Sequence, residues 1–252
     1  MMVVLPGVAA PLVPWWGHGL RVLVIENYVG TPLGLVAPAL AEAGADVDLR
    51  LAWRGIPIPN DHAGYDGLVV LGGEQSAVDD AQSPWLPRAA ALVRAFGDAD
   101  KAVLGICLGA QLVARGYGGE NILGRPIEFG WHYVRPTPAG RSDPVIGALG
   151  AGSPQFHWHS DTFALPPHAT RLAESDQTEI QAFRVGRAVY GIQFHFEADR
   201  ALVERWSRDF GDVIARHAPD WHKRRPLEAE RHGATADATG AAIARAWVRL
   251  IR

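Results

Sequence analysis

From Arg21 onward, short apolar runs alternate with helical patterns, and no other feature of the sequence narrows the fold as far. Residues 22–25 are a β-branched run of the kind buried on both faces of a sheet, 102–106 read as another buried strand, and 47–51 and 67–71 as further strands. Helical patterns fall between them. Thr31 and Pro32 read as an N-cap and first helical residue, with an end near Ala43 before Gly44. Two more helices are expected at 84–96 and at 108–115, the latter running out near Gly116. Such alternation builds a parallel sheet covered by helices. With 252 residues, 48% hydrophobic and 20% charged, the chain can bury that core without disulfides and is not mostly disordered.

The second half predicts a different arrangement. Residues 127–134, 171–174, 180–185 and 188–194 read as short strands, the last two joined by Gly186-Arg187 as a hairpin. A helix is expected over 200–216, with Leu202, Val203, Trp206, Phe210, Val213 and Ile214 on one stripe. Residues 217–240 are polar and read as loop, and a last helix over 241–251 buries Trp247 and Leu250. The expected class is therefore α/β: one doubly wound domain at 21–216, its central sheet mostly parallel, with an added antiparallel hairpin region. An irregular extension at 1–20 precedes it, and a C-terminal polar loop and helix at 217–252 are appended to it.

The extension is apolar but interrupted by Pro6, Pro11 and Pro14. It has no Lys or Arg ahead of the apolar stretch, so it reads as neither a signal peptide nor a membrane span. A net charge of −3 gives no electrostatic reason to expect nucleic acid. The single cysteine excludes an intramolecular disulfide and suits a reducing, cytoplasmic setting.

That cysteine lies in Val103-Leu104-Gly105-Ile106-Cys107-Leu108-Gly109-Ala110-Gln111, where a buried strand runs straight into a helix. This is the layout of a nucleophile elbow. The turn is sharp, and Gly105 and Gly109 supply room on either side of it. The helix N-terminus favours a thiolate, and the Leu108 N–H can hold an oxyanion. A plainer reading is a small buried hydrophobe, as free cysteines often are. A thiolate nucleophile also needs a base and a partner to orient it. The segment Gly191-Ile192-Gln193-Phe194-His195-Phe196-Glu197 supplies both types. In extended chain His195 and Glu197 share a face, so the carboxylate can hold one ring nitrogen while the other faces the thiol. A surface His/Glu couple would look the same.

Together the elbow G-I-C-L-G-A-Q, the closing G-I-Q-F-H-F-E and the strand-loop L-V-V-L-G-G-E, all within roughly 21–210, resemble the class I (triad-type) glutamine amidotransferases. The resemblance implies Cys107 as nucleophile, His195 as general base and acid, and Glu197 as orienting carboxylate. It implies that the N–H groups of Gly73 and Leu108 form the oxyanion hole, and that Gln111 helps bind substrate. Glu128-Phe129-Gly130-Trp131 and His157-Trp158-His159-Ser160-Asp161 look like segments of the amidotransferase domain of GMP synthase and its stand-alone relatives. This implies Gly130 and Trp131 at the substrate pocket. One departure is Phe196, where the family usually has proline; its presence can shift Glu197 or reshape the pocket wall.

His157, His159 and Asp161, spaced by two, could share a strand face and hold a metal. A polar loop tied by hydrogen bonds fits the resemblance better, and neither metal nor cofactor is expected. Lys223, Arg224 and Arg225 read as a solvated loop. The expected substrate is small: glutamine or a γ-glutamyl compound. The sequence contains no P-loop and no S-G-G-x-D-S-like segment. The chain thus reads as a glutaminase working with a separate synthetase or acceptor subunit, as a stand-alone γ-glutamyl conjugate hydrolase, or as a catalytically idle regulatory or redox-sensing subunit.

Overall fold

The computed structural model describes residues 19–124 and 127–252. The extension expected at 1–20 therefore lies almost wholly outside the described residues. The first half alternates as the sequence predicts: β1 (Arg21–Glu26), α1 (Val36–Glu42), β2 (Asp46–Leu51), β3 (Gly67–Val70), α2 (Leu86–Asp98), β4 (Ala102–Ile106) and α3 (Leu108–Gly116). Then follow β5 (Asn121–Ile122), β6 (Glu128–Pro136), α4 (Pro138–Arg141), β7 (Ser153–His159), β8 (Thr162–Phe163), β9 (Ala169–Glu174), β10 (Ala182–Val185) and β11 (Val189–Ile192). The C-terminal part is helical, with α5 (Arg200–Asp209), α6 (Gly211–His217), α7 (Trp221–Glu228), a π-helical stretch (Ala229–Gly233) and α8 (Ala234–Val248).

Nine strands form one sheet in the order β2-β1-β3-β4-β11-β10-β9-β6-β7, while β5 and β8 pair separately. The β2, β1, β3, β4 and β11 strands are parallel. From β11 outward the pairing is antiparallel. Every residue of β3, β4 and β11 is buried, which is why these strands read as unbroken apolar runs. Alternate side chains feed opposite layers. Val22, Val24, Val69, Leu104 and Ile106 pack with Leu40, Ile243 and Trp247 on the α1/α8 face. Leu23, Ile25, Leu68, Val70 and Val103 pack with residues of α2 and α3 on the other. A third, aromatic core joins β6 and β7 to α5–α7. No described helix is long and apolar enough to cross a membrane.

Several local expectations are corrected. Thr31 does not cap a helix; α1 starts at Val36, and the Thr31 hydroxyl donates instead to Tyr28 O (2.7 Å) within its own loop. The helix expected over 200–216 breaks at Phe210, just before Gly211. Residues 153–159 form β7, paired along its whole length with β6. Residues 217–240 are not a loop but α7, the π-helical stretch and the start of α8. Trp221 is the buried anchor of α7, and tertiary packing rather than amphipathic pattern sustains a helix that polar. The basic run is accordingly on a helix: Arg224 pairs with Asp220 (2.8 Å) and Glu228, and Arg225 with Glu204. Trp247 is fully buried, but Leu250 lies past the end of α8 and is only half-buried.

Candidate active site

Cys107 is the single residue between β4 and α3, at φ 52° and ψ −110°. A non-glycine residue rarely adopts such a backbone, and the surroundings must enforce it. Here they do. A Cβ on Gly105 would overlap the Gly109 carbonyl, and one on Gly109 would overlap Val70 O, so only glycines let strand and helix approach this closely. The Cys107 N–H donates to Ile192 O (2.9 Å), tying the elbow to β11. The thiol lies at the N-terminus of α3, where the helix dipole favours negative charge.

His195 follows β11, three residues past its end, and its backbone N–H donates to Phe156 O on β7 (2.8 Å). The ring Nδ1 donates to Glu197 Oε1 (2.7 Å), because a carboxylate can only accept. That leaves Nε2 free to serve the neighbouring thiol, which itself donates to Trp158 O (3.7 Å). The two residues meet beside Gly72: a Cβ there would lie 3.4 Å from His195 Cε1 and 3.6 Å from Cys107 Cβ. Burial alone would lower the His195 pKa, but the charges of Glu197 and Cys107 outweigh it and hold the imidazole well above its usual range.

The segment carrying His195 and Glu197 is clamped from two sides. Glu197 O accepts from the Leu35 N–H (2.8 Å), and Gly34 packs against the same carbonyl. Gly240 on α8 packs against Phe196 O. Phe196 neither lines the pocket nor displaces Glu197; its ring is buried in the α1/α8 core, edge-on to Phe194. The backbone restriction a proline would bring is supplied here by packing.

Around the thiol opens a cavity of about 290 Å³. Gly73 is at its wall, held against Leu108: a Cβ on Gly73 would lie 2.8 Å from Leu108 Cδ2. As the first residue of α3, Leu108 has an N–H outside the helix's own ladder. A buried latch that sequence reasoning missed fixes the Gly73 loop. Asn27 Nδ2 donates to Leu71 O (2.7 Å), while its Oδ1 accepts from Trp85 Nε1 (3.0 Å) and its backbone oxygen from Gln75 Nε2 (2.9 Å). Gln111 lines the cavity, with Nε2 donating to Asp161 O (3.2 Å). Gly130 and Trp131 do not reach it. Gly130 faces Glu228 and Trp221 of α7, and the Trp131 N–H points to Glu228 Oε2 (3.3 Å). Ile127, Glu128 and Phe129 line the cavity instead. The reason is α7 itself, which covers the outer part of β6.

His157 and His159 share β7, but the Asp161 carboxylate does not join them: its Oδ1 accepts from the Gly124 N–H (2.8 Å), and only its backbone oxygen meets His159 Nδ1 (3.0 Å). The acid beside them is Glu128, directly opposite His159 in the β6/β7 register. One donor atom from each of Glu128, His157 and His159 lies within 4.8 Å of the others, a set able to hold an ion. The carboxylate is already occupied, however. His159 Nε2 (2.9 Å), Gln181 Nε2 (2.7 Å) and the Ser175 (2.6 Å) and Thr178 hydroxyls all reach it, and a cation would have to displace them. Burial would raise the Glu128 pKa, but His159, the adjoining His157 and these hydroxyls overcome it and bring it down to about 2. Burial keeps His157 neutral, and its ring nitrogens have no hydrogen-bond partner among the described residues. The sequence spacing pointed to the histidines; only strand pairing could reveal the acid.

The model of the glutamine amidotransferase class-I family matches residues 23–203. The chain belongs to this family. Among relatives of this amidotransferase-family protein, the glutamine amidotransferase-like protein YfeJ of Salmonella typhimurium is 32% identical over 179 residues, covering 68% of this chain and 75% of the relative. A glutamine-hydrolyzing GMP synthase subunit of Methanosarcina barkeri is 30% identical over 181 residues, covering 71% and 87%. Gamma-glutamyl peptidase 3 of Arabidopsis thaliana is 28% identical over 187 residues, covering 71% and 74%. The crystal structure of a glutamine amidotransferase from Thermotoga maritima superposes with a TM-score of 0.81 at 26% identity, covering 92% of this chain and 98% of that one.

Proposed function

We propose that this protein hydrolyses the side-chain amide of glutamine or of a γ-glutamyl compound through a cysteine thioester. The observation that carries the reading is the positive-φ Cys107 meeting His195 beside Gly72, with the His195 ring held by Glu197 Oε1 at 2.7 Å. The Cys107 thiolate attacks the amide carbon, and a carbon–sulfur bond forms. The N–H groups of Gly73 and Leu108 hold the oxyanion; each well-placed donor of this kind is worth on the order of 3 kcal/mol. His195 then gives its Nε2 proton to the leaving nitrogen as the carbon–nitrogen bond breaks. Water next donates a proton to His195 and its oxygen to the thioester, restoring the thiolate and releasing the γ-carboxylate. Glu197 keeps the ring in the tautomer this sequence requires and stabilises the imidazolium.

The test is affinity labelling with a diazo-ketone analogue of glutamine. One equivalent should add to Cys107, and a folded protein that takes up none would refute the reading. A second reading is that the protein serves as the amidase component of a two-chain enzyme, feeding ammonia to a synthetase. The likeness to the Methanosarcina barkeri GMP synthase subunit supports it. Steady-state assays separate the two. Slow glutamine turnover raised by a second protein favours the two-chain enzyme, whereas turnover of γ-glutamyl amides by the lone chain favours the hydrolase.

A further inference from the structure

The hydrolytic reading leaves open what stands on the nitrogen of the amide. The cavity wall beside His195 bears on this, because the leaving nitrogen must lie where Nε2 can protonate it. That wall is aromatic. The Trp206 ring stands edge-on to His195, with centroids 5.1 Å apart. Trp158 packs against both Trp206 (5.9 Å) and Phe210 (5.8 Å), and Phe210 meets Tyr28 (6.1 Å). The rings thus continue outward from the catalytic imidazole, and all four line the cavity.

The wall is built, not incidental. Trp206 Nε1 donates to Gly30 O (2.7 Å), tying α5 to the loop after β1. Gly30 in turn lies under the Phe210 ring, which a Cβ would approach to 3.2 Å. The break between α5 and α6 falls at Phe210 itself. Charge points the same way. Glu74 lines the cavity together with Tyr28 and puts an acid at its rim. Among the described residues neither Lys nor Arg lines it; its basic side chains are His159, His195 and His217.

We infer that the leaving-group subsite, walled by Tyr28, Trp158, Trp206 and Phe210, selects γ-glutamyl amides of aromatic amines that carry no carboxylate. An aromatic amine buries its ring against these faces and edges. A γ-glutamyl amino acid would bring its carboxylate to an apolar, acid-rimmed wall without a Lys or Arg to pair with it, at the cost of desolvating it. Ammonia would leave the wall unfilled. The inference rests on the hydrolytic reading, and goes beyond it only in naming the amine.

Three substrates differing in one feature each test it: γ-glutamyl-phenethylamide, γ-glutamyl-phenylalanine (the same group with a carboxylate) and γ-glutamyl-methylamide. The wild-type kcat/KM should be at least about tenfold higher for the phenethylamide than for either of the others. Phe210→Ala should lower that preference over the methylamide by a similar factor. Because the preference is read on the wild type, a variant that fails to fold leaves the test intact. If Cys107 takes the diazo-ketone label but the three amides react alike, or the phenylalanine conjugate is faster, the subsite assignment is wrong and the hydrolytic reading stands. Absence of both label and turnover in a folded protein would overturn both.

Discussion

Cys107, His195 and Glu197 carry unequal shares of the proposed chemistry, and substitution should reveal it. Cys107→Ala should abolish turnover with little loss of stability, since Ala keeps the Cβ of this positive-φ position and only the sulfur is removed. His195→Ala should lower kcat by roughly 10²–10⁴, because both proton transfers pass through its ring. Glu197→Gln should cost less than His195→Ala, since the clamps at Gly34 and Gly240 hold the segment whether or not the carboxylate is present. Steady-state kinetics with melting curves on the three variants checks the order; an equal loss for Glu197→Gln and His195→Ala would show that charge, not packing, orients the ring. Glu128 makes a separate prediction about stability and pH. Its pKa of about 2 lies below the usual 4.5, so its contribution is complete above about pH 4.5 and is lost as pH falls toward 2. Glu128→Gln should destabilise the protein by about 3 kcal/mol at pH 7. In urea titrations the gap to wild type should narrow to under half by about pH 3.

At the scale of elements, the site depends on three meetings of backbone that tolerate no side chain. The elbow needs Gly109 against Val70 on β3, the segment after β11 needs Gly34 against Glu197, and α8 needs Gly240 against Phe196. The last is the most instructive, because Gly240 lies on a helix remote in sequence from every proposed catalytic group. Gly240→Ala should destabilise by about 1–3 kcal/mol, the usual cost of overpacking. It should also lower kcat, by displacing the carbonyl between His195 and Glu197. Denaturant titration paired with kinetics tests this; a large loss of stability with unchanged kcat would mean the site does not feel α8. The break of α5 from α6 at Phe210 is a similar case, since an unbroken helix would aim that ring differently.

Across the molecule as a whole, the C-terminal helices complete the core and do not merely decorate it. Trp247 of α8 is fully buried against the sheet, and its Nε1 donates to Val103 O on β4 (3.2 Å), on the strand that leads into the elbow cysteine. Trp221 of α7 closes the aromatic core over Phe129, Trp131 and Phe156. Trp247→Ala should cost about 3–5 kcal/mol. A chain truncated after Ala218 exposes both layers and should be recovered only as aggregate; soluble, cooperatively melting truncated protein would show that the domain ends where α6 does.

The parallel half of the sheet and the elbow were legible in the amino-acid sequence alone. Strands buried on both faces must be apolar throughout, and the turn at Cys107 demands glycine at 105 and 109, so both are written in consecutive residues. His195 and Glu197 lie two apart on one short segment, but the chain turns at 196–197 instead of running extended, and their contact comes from that turn. Glu128 beside His159, the Asn27 latch and the wall of Tyr28, Trp158, Trp206 and Phe210 came from tertiary contacts. Each joins residues separated by long stretches of chain, through strand register or a helix break. The polar stretch after 217 became helical for a related reason: its apolar content is sparse, and the surface that stabilises α7 belongs to β6 and β7. Local periodicity reports how a segment can bury its own face, but not which distant face it will meet.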